Sequence, residues 1–182
     1  MKKTILTKKG FTLVEVLAVV AIIGILSAAG YANLRQAIAN SRVKDAAFNI
    51  AAFAETAATK AKQISDTVCV KACNNQLVAY KSSCALASSS CEVSDPTILD
   101  RLEMPTGVRI VTSSANALEG SNWNSGDGAE FVPRFGLSAA PQKGYFLVRY
   151  LESDLYGSAV KVEHRNSFVS KISYDGTTWS DL

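Results

Sequence analysis

The chain has 182 residues, of which 48% are hydrophobic, and it carries 19 basic and 16 acidic side chains. This length suits one globular domain with a terminal segment. The net charge of +3 comes from a basic cluster near the start, formed by Lys2, Lys3, Lys8 and Lys9. Because the remainder of the chain is close to neutral, the composition argues against a domain that binds polyanions through its overall charge.

The first element is a long apolar run at residues 11–32, in which Glu15 is the only charged side chain. A helix needs about 20 mostly apolar residues to cross a bilayer, so the run is predicted to be a transmembrane helix. The lysines before it predict that the N-terminus stays in the cytoplasm and that the rest of the chain is exported. A secretory signal peptide is the alternative, but such peptides have shorter apolar regions, and Gly30-Tyr31-Ala32 is a poor cleavage site.

The next segment, residues 33–65, keeps a helical pattern but is more polar. Its apolar residues step by alternating fours and threes, which predicts one stripe of an amphipathic helix. They are Val43, Ala47, Ile50, Ala54, Ala57, Ala61 and Ile64. Since no proline occurs before Pro96, the sequence predicts one helix from about Thr12 to Ile64. We expect the stripe to pack against a sheet, with a freestanding coiled coil as the alternative.

From residue 66 onward the hydrophobic period changes to two, which is typical of strands. The predicted strands are residues 67–71, 76–81, 107–112, 130–135, 144–151, 158–164 and 167–175. Turn-rich segments separate several of them, notably 119–128 and 138–144. Closely spaced strands without intervening helices predict an antiparallel sheet. The sequence therefore predicts an α+β protein, with a long N-terminal helix packed on a β-rich domain at residues 66–182.

All four cysteines, Cys69, Cys73, Cys84 and Cys91, follow the apolar run. On the exported side they meet oxidising conditions, so two disulfides are predicted. Four cysteines allow three pairings, and the sequence does not choose among them. A zinc site is the alternative, but the spacing lacks the paired C-x2-C knuckles of such sites.

The residues that carry chemistry are few, and the sequence predicts no enzyme, no metal site and no cofactor. His164 is the single histidine, predicted to lie on the surface at a strand end, and no G-x-S-x-G elbow accompanies it. Residues 122–128 hold oxygen-bearing side chains but not the EF-hand spacing, so a plain loop is predicted. Trp123 and Trp179 are predicted to be packing residues.

The hexapeptide GFTLVE at residues 10–15, between a basic leader and a long apolar run, closely resembles the N-terminus of type IV prepilins. The resemblance implies that a membrane peptidase removes residues 1–10 by cutting after Gly10 on the cytoplasmic side. It further implies that the new N-terminal residue, Phe11, is methylated and that Glu15 helps to recruit the subunit to a growing filament.

A charged residue inside a membrane costs about 2.5–3.5 kcal/mol at the bilayer centre, so it is kept chiefly where it is functional or paired. After cleavage, the amine of Phe11 would lie four residues before Glu15 on the same helical face. We therefore predict that Glu15 pairs with such an amine, its own or that of a neighbouring subunit. The alternative is a carboxylate that merely reaches the membrane surface.

Residues 35–70 and 129–150 are similar to parts of H-type minor pseudopilins and FimT-like minor pilins. This resemblance implies a structural subunit that builds, initiates or caps a type II secretion pseudopilus or a type IV pilus. The implied partners are prepilin peptidase, other pilin or pseudopilin subunits, the inner-membrane assembly platform and membrane lipid. The implied location is the bacterial inner membrane, crossed once with the β-domain in the periplasm, and later the pilus or cell surface.

An adhesive or DNA-binding pilus component is the alternative function. If folding brought them together, five residues would form a basic face: Arg134, Arg149, Lys161, Arg165 and Lys171. Some FimT-like proteins bind DNA through a basic C-terminal tail, whereas the tail here, DGTTWSDL at residues 175–182, is acidic. The sequence therefore argues against nucleic acid as a partner.

Overall fold

The computed structural model describes residues 11–87, 95–113, 118–138, 143–150, 153–164, 167–173, 175 and 177–182. One long helix, α1 (Leu13–Ile64), precedes every described strand. The chain divides into two compact units, residues 1–38 (unit 1) and residues 39–182 (unit 2). The described part of unit 1 consists almost wholly of α1, and unit 2 contains the rest of α1 and all the described strands.

The described strands of unit 2 form two sheets. They are β1 (Val68–Cys73), β2 (Gln76–Tyr80), β3 (Ile98–Glu103), β4 (Val108–Ile110), β5 (Ser121–Asn122), β6 (Ala129–Val132), β7 (Gly136–Leu137), β8 (Gly144–Tyr150), β9 (Ser153–His164), β10 (Ser167–Ser173) and β11 (Ser180–Asp181). Sheet 1 has the order β3-β2-β1-β6-β7, and sheet 2 has the order β11-β10-β9-β8-β4. Every pairing along these two orders is antiparallel. The one parallel pairing among the described strands joins β5 to β8.

The main core of unit 2 lies between α1 and the sheets. Six of the seven predicted stripe residues are at most 2% exposed, and the seventh, Ile64 at the helix end, is 38% exposed. The stripe is mostly alanine, so the large side chains of this core come from the other elements, among them Trp123, Phe131 and Phe146. Small residues on the helix let it approach these rings closely. The predicted α+β arrangement, a long N-terminal helix packed on antiparallel sheets, is confirmed.

Local backbone geometry explains where α1 ends and how β1 turns into β2. Ser65 has φ 53°, the left-handed conformation that commonly ends a helix. Asn74 and Asn75, with φ 49° and 65°, form the two-residue loop between Cys73 and Gln76, which pair across the hairpin. Asparagine tolerates positive φ better than most residues, and two such residues give the turn that matches strand twist.

Several predicted boundaries were wrong. The strand predicted at residues 158–164 begins five residues earlier, at Ser153. The predicted strand at residues 130–135 ends at Val132, because residues 133–135 form the turn into β7. The predicted turn segment 119–128 contains β5 and a short 3-10 helix, Trp123–Ser125. This segment pairs with β8 and places Trp123 in the core, a tertiary contact that local turn composition does not reveal. Within the predicted turn segment 138–144, residues 139–142 lie outside the described residues.

Candidate functional site: the helix start and the apolar segment

The start of α1 is fixed by hydrogen bonds between Thr12 and Glu15. The Glu15 backbone N–H donates to Thr12 Oγ1 at 3.2 Å, and the Thr12 backbone N–H donates to Glu15 Oε2 at 3.2 Å. The Thr12 hydroxyl also donates to Glu15 Oε2 at 3.1 Å. This reciprocal pattern is a capping box, which satisfies backbone donors that have no partner inside the helix. The carboxylate also lies at the positive end of the helix dipole.

This role of Glu15 was missed by our sequence analysis, although the T-x-x-E spacing is visible in residues 12–15. Gly10, the predicted cleavage site, lies outside the described residues, and Phe11 is 87% exposed. Cleavage after Gly10 would create a new N-terminal amine at Phe11. This amine would lie one residue before Thr12, whose backbone N–H donates to Glu15. The pairing of Glu15 with that amine stays a prediction.

The part of α1 in unit 1 presents apolar side chains around its whole circumference. Large apolar residues from Leu13 to Leu34 are each more than half exposed in the structure. Within the described residues, α1 is the helix long and apolar enough to cross a membrane, judged by length and composition. An all-round apolar helix surface is stable in lipid or against other apolar helices, rather than in water.

The cysteines form a small cluster on sheet 1. Cys69 and Cys84 are joined by a disulfide, with their Cα atoms 5.0 Å apart. Cys73 is also disulfide-bonded, and Cys91 lies outside the described residues. A Cys69–Cys84 disulfide removes two of the four ligands that the zinc alternative requires.

The disulfide holds the segment after β2 against sheet 1. Cys69 and Cys84 pack with Tyr80 and Ala87 in a second buried cluster. The Cys84 backbone N–H donates to Glu130 Oε2 at 2.9 Å. Burial of Tyr80 raises the pKa of its phenol, which is uncharged at neutral pH even at its ordinary pKa. The cluster therefore stabilises the position of the segment after β2 against sheet 1.

The asparagine-rich segment at residues 122–128 uses its amides for internal hydrogen bonds. Asn122 and Asn124 are buried, and their Nδ2 groups both donate to the Val111 carbonyl, at 2.8 and 3.0 Å. Asn124 also donates to the Leu147 carbonyl at 2.7 Å. Between them, Trp123 is fully buried against Phe146. Within the described residues, no group of three or more acidic, histidine or cysteine side chains is positioned for a metal.

Three of the five predicted basic residues share one face of sheet 2. Lys161 pairs with Tyr145, Lys171 pairs with Ala159, and Arg149 follows Tyr145 by four residues on β8. Since side chains alternate along a strand, all three lie on the same side. Arg134 lies in the β6–β7 turn of sheet 1, and Arg165 lies outside the described residues.

Carboxylates accompany the lysines on this face. Glu119 Oε2 lies 4.0 Å from Lys161 Nζ, and Asp181 forms an ion pair with Lys171. Trp179, predicted to be a packing residue, is half-buried against the apolar residues of the same face. These acids reduce the positive potential that a polyanion would meet. The DNA-binding alternative is not tested by this geometry.

Comparison with known families gives one match. Residues 6–31 match the prokaryotic N-terminal methylation motif, a segment that includes the capping box and the apolar half of α1. No curated protein and no solved structure matches the chain. The match, together with a long helix packed on antiparallel sheets, is consistent with an α+β pilin-like fold.

More narrowly, the motif supports a type IV prepilin-like family, whose members are processed by prepilin peptidase. It points to a structural subunit that assembles with other pilins, rather than to an enzyme. Together with the long apolar helix it also suggests anchoring in a membrane.

Proposed function

We propose that the chain is a minor pilin or pseudopilin that helps to initiate, cap or build a type II secretion pseudopilus or a type IV pilus. The observation that carries this proposal is the methylation motif at residues 6–31, with a capped helix that begins at Leu13. Within this class, the H-type minor pseudopilins and the FimT-like minor pilins are the subtypes whose helix and strand passages most resemble this chain.

Processing and assembly make different demands on the N-terminal segment. Processing requires Gly10 and the lysine-rich leader at residues 1–10, whereas assembly requires the helix surface and Glu15. The capping box supports this division because it gives the mature helix a defined start after the leader is removed. In a filament core, the Glu15 carboxylate then neutralises an N-terminal amine that would otherwise be costly to bury.

The first test is the intact mass of the membrane-extracted protein. We expect a chain that begins at Phe11 and carries one additional methyl group. Gly10→Val should leave the uncut precursor, because a branched side chain replaces the glycine at the cleavage site. A mature chain that starts at Asn33, or that retains Met1, would contradict the proposal.

The phenotype of a deletion strain distinguishes a subunit of a secretion pseudopilus from a subunit of a pilus. Loss of exported enzymes from the medium, with surface filaments intact, assigns the subunit to type II secretion. Loss of surface filaments, with secretion intact, assigns it to a pilus. A deletion that changes neither, in a strain with both systems active, overturns the proposed function.

A further inference from the structure

In the described part of unit 1, the distance between the two charged residues matches the thickness of a membrane. Among its described residues, the charged side chains are Glu15 and Arg35. Arg35 follows Glu15 by twenty residues, which is about 30 Å at roughly 1.5 Å of rise per residue. The hydrocarbon core of a bilayer is also about 30 Å thick. With little tilt, the two charges therefore lie at opposite boundaries of the hydrocarbon.

Arg35 is stacked on an aromatic ring one turn earlier in the helix. Its guanidinium carbon lies 5.0 Å from the centre of the Tyr31 ring, the geometry of a cation–π contact. Tyr31 is 58% exposed, and Arg35 is also exposed. Tyrosine is enriched where a transmembrane helix crosses the lipid headgroups, because its ring is apolar and its hydroxyl is polar.

The next cation along α1, Arg42, lies in unit 2. Arg42 Nη1 donates to the Thr106 carbonyl at 2.7 Å, which ties that side chain to the turn before β4. Arg35 is the first cation after the apolar segment. Its guanidinium has five planar N–H donors, so it can bind phosphate oxygens in addition to its contacts within the chain. Phospholipid headgroups supply phosphate at the boundary where Arg35 lies.

We propose that Tyr31 and Arg35 form an anchor that binds the headgroup phosphates of the leaflet on the exported side. The anchor fixes the depth of α1 in the bilayer, and it thereby holds Glu15 at the opposite boundary. This inference rests on the membrane anchoring in the proposed function, and it adds a lipid site that sets the position of the assembly residue.

The test uses the mature full-length protein in vesicles of phosphatidylglycerol and phosphatidylethanolamine. A trace phospholipid carries a photoactivated diazirine either beside its headgroup or at the middle of its acyl chain, and mass spectrometry maps the labelled residues. The mid-chain probe should label most strongly around Ile25, halfway between the two charges. The headgroup probe should show a maximum within residues 31–36.

Substitutions then test the anchor itself. Arg35→Gln should lower headgroup labelling within residues 31–36 at least threefold, whereas Arg35→Lys should retain most of it. The paired exchange Tyr31→Arg with Arg35→Tyr keeps the composition but moves the cation by four residues. The headgroup maximum should then move four residues toward the N-terminus. Gln36→Ala, a neighbouring exposed residue without charge, is the matched control and should change nothing.

Lipid chemistry gives an independent arm. Vesicles of digalactosyl diacylglycerol contain no phosphate. In these vesicles the wild-type protein should lose the maximum of headgroup labelling within residues 31–36, as the Arg35→Gln variant should in phospholipid vesicles. If Arg35→Gln and the paired exchange show the same labelling pattern as the wild type, the proposed anchor is contradicted, although membrane insertion is still supported. If neither probe labels residues 13–34 of the wild type, the membrane anchoring of the proposed function fails as well.

Discussion

At the scale of single residues, the observed role of Glu15 as a helix cap can be separated from its proposed role as a charge in assembly. Glu15→Gln keeps a side-chain oxygen that can accept from the Thr12 N–H but removes the charge, whereas Glu15→Ala removes both. If the charge pairs with an amine during assembly, both variants should insert and be cleaved but remain in the membrane fraction. The measurement is the share of processed subunit in sheared surface filaments.

Thr12→Ala is the matched control for this comparison. It removes the threonine cap, at a cost of about 1 kcal/mol in helix stability, and leaves the carboxylate in place. We expect this variant to assemble at close to the wild-type level. Assembly of Glu15→Gln at the wild-type level would restrict Glu15 to capping and contradict the charge-pairing prediction.

The N-terminal motif is easier to recognise in the sequence than the hydrogen-bonded residues of the β-domain. Glu15 stands out because a carboxylate in an apolar run is rare, and that signal is local. Asn122 and Asn124 were interpreted as part of a plain loop, whereas their amides bond to backbone carbonyls, including that of Leu147, which lies more than twenty residues away in the sequence. Nothing in the local sequence identifies such distant acceptors.

At the scale of elements, the disulfides give a stability prediction. The Cys69–Cys84 bridge closes a loop of 15 residues, for which the chain-entropy model gives about 3 kcal/mol. The double variant Cys69→Ala, Cys84→Ala should therefore lower the free energy of unfolding by about this amount, measured in urea by tryptophan fluorescence. Under reducing conditions most of the difference from wild type should vanish. A difference that persists there would come from packing.

Peptide mapping without reduction tests the connectivity that the sequence left open. A peptide with Cys69 should be linked to one with Cys84. Since Cys73 is also disulfide-bonded, we predict that it is linked to the remaining cysteine, Cys91. Linkage of Cys69 to Cys73 or Cys91 would contradict this pairing.

The ion pair between α1 and β3 predicts a pH dependence. Lys60 Nζ lies 2.8 Å from Asp100 Oδ2, and this hydrogen bond is the main reason why the pKa of Asp100 is lowered. A carboxyl group whose pKa is lowered by folding stabilises the folded state at pH values above its ordinary pKa. This stabilisation is lost as the pH falls through the lowered pKa. Because both side chains are partly exposed, the contribution should stay below about 1 kcal/mol.

Lys60→Met should therefore lower the free energy of unfolding slightly at pH 7, and the difference from wild type should shrink below about pH 4. Lys62→Met, on an exposed lysine of the same helix, is the matched control and should differ little at either pH. Urea unfolding at pH 7 and pH 3 measures both variants. If Lys60→Met lowered the free energy of unfolding equally at the two pH values, the stabilisation would not come from the ion pair with Asp100.

Strand prediction succeeded where aromatic and β-branched residues are dense, and it failed where pairing decides the structure. The predicted strand at residues 144–151 corresponds to β8, whose first five residues are buried. The strand β3 was missed, because it is an edge strand whose residues are mostly half-buried and show no clear alternation. The two-residue strands β5, β7 and β11 exist through their partners in the sheets, and so local pattern does not predict them.

At the scale of the whole molecule, the sequence predicted the order of helix and sheet but not the division into two sheets. The change of hydrophobic period near residue 65 marks the end of α1 almost to the residue. The pairing of β2 with β3 across a long connection, and the placement of β6 beside β1, depend on contacts between segments far apart in the chain. Periodicity carries no information about that order.

Membrane orientation is the remaining property of the whole molecule, and the disulfide offers a means to read it. The leader holds four lysines, whereas Arg35, Arg42 and Lys44 follow the apolar segment. Cations near a span stay preferentially in the cytoplasm. Replacement of the four leader lysines by glutamine leaves the cations after the span as the stronger signal, so a substantial share of the chains should insert in the opposite direction.

In those inverted chains the β-domain remains in the reducing cytoplasm, where structural disulfides rarely persist. Cys69 and Cys84 should then react with a maleimide polymer that shifts the band on a gel, and the leader should remain uncut. Replacement of the same lysines by arginine is the matched control, because it keeps the charge, the orientation and the disulfide. If the glutamine variant remains fully oxidised and processed, the leader charge does not set the orientation, and the apolar segment must be oriented by features after residue 32.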